Sequence, residues 1–141
     1  MNALLTVDHI HLISGDPQAA ADWYRDMLGG EVTNVQHQLR GAPQIDVKVG
    51  GMSIVIRGQR PGETPAGARP MQHFDAYSSH DEWGIDHFGF SYRGDLRAFC
   101  DTLKAKGVRM AVEAWEFKPG VVLCYVAAPD DVSIEIIQVA A

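Results

Sequence analysis

Sulfur, positive charge and long apolar runs are all scarce in this chain. Two cysteines, Cys100 and Cys124, are all that its 141 residues carry. They form no Cys-x-x-Cys pair, which excludes a disulfide framework or a cysteine-built zinc knot as the organiser of the fold. Both read as small apolar core residues, one on a helix and one on a strand, and a reducing cytoplasm is the expected setting. Lys and Arg number 12 against 18 Asp and Glu, a formal charge of -6, so the basic face that nucleic-acid binding requires is missing. No segment approaches the roughly 18 consecutive apolar residues that cross a bilayer. The opening MNALLTVDHIHL lacks a cationic n-region and is interrupted by Asp8 and His9, so neither a membrane span nor a secretory leader is expected. At 46% hydrophobic and 21% charged residues, the composition is that of a globular protein, and a chain of this size buries roughly 68 to 70% of its unfolded surface.

What the chain does have is a repeat. Asp8-His9 opens the stretch DHIHLIS, and 78 residues later Asp86-His87 opens DHFGFSY. Near the end of each half, Ser53-Ile54-Val55-Ile56 is answered by Ser133-Ile134-Glu135-Ile136, 80 residues on. A nearly constant offset between paired landmarks marks an internal duplication. In the first copy, Leu5 to Ile13 reads as a strand by alternation. Asp16-Pro17 then supplies an N-cap and a first-turn proline, Ala20, Trp23, Tyr24, Met27 and Leu28 recur at helical spacing, and Gly29-Gly30 closes the helix. Glu31 to Gln38, Gln44 to Val49 and Met52 to Arg57 follow as strands. The second copy repeats the order, with strands over 85–92, 111–117, 121–127 and 132–139 and a helix capped by Asp95 and ended by Gly107. The expectation is an α+β fold of two βαβββ modules, their mixed sheets cupped into a barrel-like cleft with the helices outside. It forms one domain over 1–141: module one at about 5–57, a Gly- and Pro-rich connecting segment over 58–83, and module two at about 84–140.

Duplication sets His9 against His87 and Val55 against Glu135. If those strands converge, the centre holds two imidazoles and one carboxylate, the residue set of a divalent-metal site with open coordination positions. Glu135 stands among Ile134, Ile136 and Ile137, and an inward carboxylate there requires a cation or a strong donor. His11 shares a strand face with His9, which makes it the candidate for proton exchange. A hydrogen-bonded wall position is its plainer role. Gly89 and Ser91 beside His87, and Ser133 and Ile137 beside Glu135, are expected on the same face. Gln36, His37, Arg57, Trp115 and Tyr125 are candidate pocket residues, and His73 and His80 lie in the connecting segment as lid or solvated residues.

The run from His9 to Asp16 leading into Trp23-Tyr24-x-x-x-Leu28-Gly29, with the terminal Pro129-Asp130-x-x-x-Ile134-Glu135, resembles the vicinal oxygen chelate superfamily. That superfamily comprises glyoxalase I, fosfomycin-resistance proteins, methylmalonyl-CoA epimerase, extradiol dioxygenases and bleomycin-resistance proteins. The resemblance covers nearly the whole chain and implies that His9, His87 and Glu135 bind the metal, with a homodimer as the assembly. Val55 occupies the position of the fourth ligand of glyoxalase I and the epimerase, so catalysis by paired glutamates is not expected. The turn reading Asp130-Asp131-Val132 also departs from the family's Asp-Gly-Asn. The implied protein is a metal-dependent enzyme acting on a small oxygenated organic molecule that chelates one ion through two oxygens. Fe(II) or Mn(II) suits the ligand set, with Zn(II) or Ni(II) as alternatives. Absence of the fourth ligand tilts the reading toward a dioxygenase of extradiol type. A glyoxalase-like or fosfomycin-resistance-like lyase, transferase or isomerase is the alternative, and a metal-free drug or metabolite binder is the competing class.

Overall fold

A computed structural model of the chain describes residues 4–71 and 83–139. The chain divides into two compact units, Met1–Gly67 and Ala68–Ala141, with the boundary inside the expected connecting segment. His73 and His80 lie outside the described residues.

The first unit comprises β1 (His9–Ile13), α1 (Pro17–Leu28), β2 (Glu31–Leu39), β3 (Ala42–Val49) and β4 (Met52–Arg57). Its open four-stranded sheet has the order β1-β4-β3-β2. The β1–β4 pair is parallel and the other two pairs are antiparallel. Helix α1 starts where it does because the Asp16 side chain accepts a hydrogen bond from Ala19 N at 3.0 Å and Pro17 fits the first turn. It stops at Gly29, whose φ of 70° is left-handed. The helix lays Ala20, Ala21 and Tyr24 on the sheet, chiefly on β3. The approach is close: a Cβ on Gly30 would stand 2.6 Å from Val47 Cγ1. Period-two alternation divides this sheet. Ile45, Val47, Val49, Ile54 and Ile56 are buried beneath the helix, while Gln44, Asp46, Lys48, Val55 and Arg57 occupy the other face.

The second unit repeats the plan with β5 (Phe88–Arg93), α2 (Leu96–Ala105), β6 (Arg109–Lys118), β7 (Val121–Ala128), the short 3-10 turn Pro129–Asp131 and β8 (Val132–Val139). The sheet order is β5-β8-β7-β6, again with the first and last strands parallel. Asp95 caps α2 by accepting from Ala98 N at 3.1 Å. Leu96, Cys100 and Leu103 are buried on its inner face, and Tyr92 stacks on Phe99 at 4.6 Å. Cys100 and Cys124 are free thiols, both buried, with sulfurs 3.6 Å apart, in keeping with their reading as core residues. Hydrogen bonding to Cys100, together with burial, pushes the Cys124 thiol up from its ordinary pKa, which keeps it protonated and unreactive.

The opposite face of this sheet carries a second apolar cluster, Ala111, Val112, Leu123 and Tyr125 with Trp115, Ala127 and Ile137 packed against it. Met71 from the connecting segment is buried in that cluster. Its N–H donates to Asp131 Oδ1 at 3.1 Å, and its carbonyl accepts from Arg109 Nη1 at 2.9 Å. Residue 71 is therefore tied to the second unit.

Two strands begin later than their alternation suggests, β1 at His9 instead of Leu5 and β5 at Phe88 instead of Ile85. The ladders explain this. Pairing of β1 opens at His9 with Ser53, and pairing of β5 opens at Phe88 with Ile134, so the residues before them lack a ladder and Leu5, Val7 and Ile85 stay exposed. Among the described residues no helix is long and apolar enough to cross a membrane.

The equivalent helix caps make a matched test of the duplication. Asp16→Ala and Asp95→Ala should each destabilise the protein by about 1 kcal/mol, within a range of about 0.5 to 2, as read from urea unfolding midpoints.

Candidate metal centre

His87 immediately precedes β5 and therefore shares a face with Gly89, two residues on. The β5–β8 register sets Gly89 opposite Glu135. Together these place the His87 ring beside the Glu135 carboxylate, with Nε2 and Oε2 3.1 Å apart. The other ring nitrogen, Nδ1, lies 2.7 Å from Oδ2 of Asp86. Tyr125, in register with Glu135 on β7, packs against the imidazole at 4.9 Å with the rings nearly perpendicular. Gly89 leaves the room this arrangement needs, since a Cβ there would stand 2.9 Å from the Glu135 carbonyl oxygen and 3.3 Å from its Cβ.

The electrostatics of this cluster are specific. Asp86 and Glu135, when ionised, can only accept, and a neutral imidazole has one N–H to donate. One ring nitrogen can be satisfied by Asp86, and the gap between Nε2 and Oε2 then requires a further proton or a cation. The side chains of His87 and Glu135 are only 23% and 17% exposed, so solvent supplies little compensation. At 3.1 Å the two atoms are within hydrogen-bond reach, and an imidazole nitrogen and a carboxylate oxygen are both ligand atoms that a divalent ion takes. The pair fits a shared divalent ion.

The first unit repeats half of this arrangement. His9 Nδ1 lies 2.5 Å from Asp8 Oδ2, so each module carries an Asp-His pair in which the aspartate engages Nδ1 and leaves Nε2 available. His11 follows on the same face, its ring centroid 6.4 Å from that of His9. In the ladder His11 pairs with Val55, and Val55 with Asp46. Asp46 takes a 3.5 Å hydrogen bond from Asn34 on Oδ2, while its Oδ1 is buried without a partner. His11 is held below the ordinary histidine pKa by burial first and by the Arg57 charge second, with Asp46 opposing. Among the described residues no three His, Cys, Asp or Glu side chains form a group that could hold a metal ion; His87 and Glu135 are a pair.

Of the expected site residues, His87 and Glu135 are in contact, with Gly89, Ser91 and Ile137 on their face as the register predicts. His9 and His11 share the equivalent face of the first unit, and Val55 stands where the duplication places it. Tyr125 touches His87. Trp115 joins the apolar cluster instead, its indole Nε1 buried without a partner. Gln36 pairs with Gln44, in the row of Arg57. His37 falls in a break of the β2–β3 register and is exposed.

Three aspartates were not anticipated. Asp8 and Asp86 were legible, because the same residue precedes both histidines. Asp46 was partly legible, through the alternation of Gln44, Asp46 and Lys48 with buried Ile45, Val47 and Val49. Its alignment with His11 depends on a three-strand register that no local pattern reveals.

The sequence profile described as Glyoxalase/Bleomycin resistance protein/Dioxygenase superfamily matches residues 6–136. No curated protein matches. Among solved structures, a protein designated SMU.1112c is 25% identical with a TM-score of 0.70, the match covering 96% of this chain and 99% of that one. A glyoxalase family protein from Enterococcus faecalis is 19% identical at TM-score 0.70, covering 95% and 98%. The genomically encoded fosfomycin resistance protein FosX from Listeria monocytogenes, complexed with Mn(II) and sulfate, is 16% identical at TM-score 0.65, covering 97% and 94%. At these identities the last two establish likeness of fold.

Gly89→Ala tests the packing of the pair. Its methyl should force Glu135 away from His87, cost about 1 to 3 kcal/mol in chemical denaturation and shift the 15N resonances of the His87 ring. Gly67→Ala, where nothing lies within 4 Å of an added Cβ, should leave both unchanged.

Proposed function

Because the chain belongs to the glyoxalase/bleomycin resistance protein/dioxygenase superfamily, we propose that it is a divalent-metal enzyme of the vicinal oxygen chelate type. It holds one ion through His9, His87 and Glu135 and acts on a small oxygenated organic molecule bound through two adjacent oxygens. The observation that carries this reading is the 3.1 Å approach of His87 Nε2 to Glu135 Oε2 between groups that a cation, or an added proton, must reconcile. His9 is its partner by repetition, with the same aspartate on the same ring nitrogen. No three such ligands are gathered among the described residues; the proposed set takes His9 from one module and His87 and Glu135 from the other, within one chain or across two.

A divalent ion bound there acts as a Lewis acid toward charge developing on a substrate oxygen. The residues of the chain do the rest. Asp8 and Asp86 fix ring orientation and tautomer, which keeps the Nε2 lone pairs directed outward. Gly89 and Ser91 leave space beside Glu135, and Tyr125, Leu123, Ile137 and Met71 form an apolar wall that excludes water. On the first module, His11 and the unpartnered Oδ1 of Asp46 are positioned to take a proton from the substrate and return it.

That acid–base row favours addition, elimination or isomerisation, the lyase, transferase or isomerase reading, over oxygenative cleavage. The second reading, an extradiol-type dioxygenase, rests on the two-histidine, one-carboxylate set itself, which leaves positions for a substrate and O2 on Fe(II). Mn(II) suits either reading, with Zn(II) or Ni(II) as alternatives. A homodimer is part of the proposal. Leu5 and Val7 before β1 and Trp83 and Ile85 before β5 are large exposed apolar residues at equivalent places in the repeat, the kind of surface a second copy covers.

Protein purified without chelator should contain about one divalent ion per chain by elemental analysis, and Glu135→Gln should weaken retention about 10-fold or more, since even changes around the ligands cost about that much. A chain that stays metal-free and refuses added Fe(II), Mn(II) and Zn(II) is a binding protein instead. Activity that survives strict exclusion of O2 and falls in Asp46→Asn selects the proton-transfer class; O2 consumption with a catechol panel selects the dioxygenase. A monomeric mass in sedimentation would remove the dimer.

A further inference from the structure

We propose that Arg57 and Arg60 form an oxyanion-binding subsite on the His11 face of the first module, one that takes a carboxylate or phosphate-type group of the small-molecule substrate. This rests on the reading of that face as substrate-lining. Arg57 closes β4, paired with Ile13 on one side and Gln44 on the other, and its row lies two residues beyond that of His11 and Val55. One corner of its guanidinium is committed: Nη1 donates to Glu63 Oε2 at 2.7 Å and to the Gly58 carbonyl at 3.0 Å. The Nε of Arg57 is buried without a partner although the side chain is only 11% exposed. Arg60, on the turn that follows, likewise has a buried Nε with no partner.

Glu63 organises this turn. Its Oε2 also accepts from Arg60 N at 3.0 Å, and its carbonyl accepts from the Gln59 side chain. The hydrogen bond from Arg57, then that from Arg60 N, holds the Glu63 carboxyl below its ordinary pKa, so it remains ionised. Glu63 thus takes the Arg57 guanidinium and the Arg60 main-chain N–H, and its single negative charge is set against two arginine charges. The ladder sets Arg57 on the face of Val55, two residues along β4, beside Ile13 and Gln44, and Arg60 follows three residues later. An arginine edge is a planar donor fork that matches the paired oxygens of a carboxylate or a phosphate, and a buried donor without an acceptor is costly. The turn therefore holds two donors, Arg57 Nε and Arg60 Nε, with no acceptor among the described residues, and an excess positive charge.

Position adds a length requirement. Ile13 lies four residues from His9 on β1, about 13 Å at 3.3 Å per residue, and the arginine side chain spans part of that interval. A ligand engaging both ends has paired oxygens at the His9 end and an anionic group at the other, with His11 and Asp46 between them.

The test is a 1H–15N titration of the arginine Nε–Hε resonances in full-length, chelator-stripped protein with sodium acetate, inorganic phosphate and, at matched ionic strength, sodium chloride. Saturable shifts at Arg57 and Arg60 with either oxyanion and none with chloride are expected. The tighter of acetate and phosphate identifies the group. Arg60→Gln, on the turn after β4, and Arg57→Lys, which keeps the charge beside Glu63 but not the fork, should each weaken binding about tenfold or more. Shifts that fail to saturate, match those of chloride or survive both substitutions would overturn the subsite. The titration needs no metal: saturable anion binding in a chain that never retains an ion would leave the subsite standing and sink the metal reading, while metal retention without anion binding would do the reverse.

Discussion

Two carboxylates on one imidazole is the constraint around which the second module is arranged. Glu135 is set into a mostly apolar strand, between Ile134 and Ile136, on the side of the sheet away from α2. Ile134 and Ile136 bury into the core, so the same alternation that satisfies them fixes Glu135 on the opposite face. Once there, its carboxylate meets His87, already engaged on Nδ1 by Asp86. The neighbouring residues follow from this contact. Position 89 has to be glycine because a Cβ would press on the Glu135 backbone. Tyr125 presents its ring edge-on to the imidazole and closes the cluster on the β7 side, and Met71, drawn from the connecting segment, completes the apolar wall behind it.

The duplication gives each of these positions twice, and the two copies have diverged in a physically legible way. Across three strands the second module reads Gly89, Glu135, Tyr125, and the first module reads His11, Val55, Asp46 at the corresponding row. The carboxylate has not vanished from the first copy; it stands one strand over, and an imidazole occupies the place that glycine holds in the second. What the two copies share is the Asp-His pair. They differ in what surrounds it: an apolar wall in one, and in the other a polar face with His11, Asp46, Gln44 and Arg57.

Much of the fold was legible because the signals were local and redundant. Asp16-Pro17 and Gly29 bound a helix of recurrent apolar positions, and Asp95 and Gly107 bound its copy. Alternation of Ile45, Val47, Ile54 and Ile56 with polar neighbours fixed both the strands and their buried face. The strand starts were not legible: Leu5 and Ile85 satisfy a strand pattern, but extension depends on how far the partner strand reaches. The site divides along the same line. His9, His87 and Glu135 emerge from repetition and from a misplaced charge, and the contact between two of them is present. The pairing of Asp46 with Val55, and the commitment of Arg57 Nη1 to Glu63, are properties of register and side-chain geometry, which sequence spacing does not encode.

A duplicated module also relaxes a conflict that a single copy would face. A strand position that holds a half-buried carboxylate beside an imidazole needs a small neighbour and apolar surroundings, and both conditions work against a solvated acid or base at the same row. With two copies, Gly89 and the apolar cluster serve Glu135 in one module, while the matching row in the other places His11 and Asp46 on a more polar face with Gln44 and Arg57. Val55 fits this division. A glutamate at that position would set a second carboxylate beside Asp46 in the same row, with like-charge repulsion across neighbouring strands. Valine separates the imidazole from the aspartate with an uncharged side chain, and Oδ1 of Asp46 is buried without a partner.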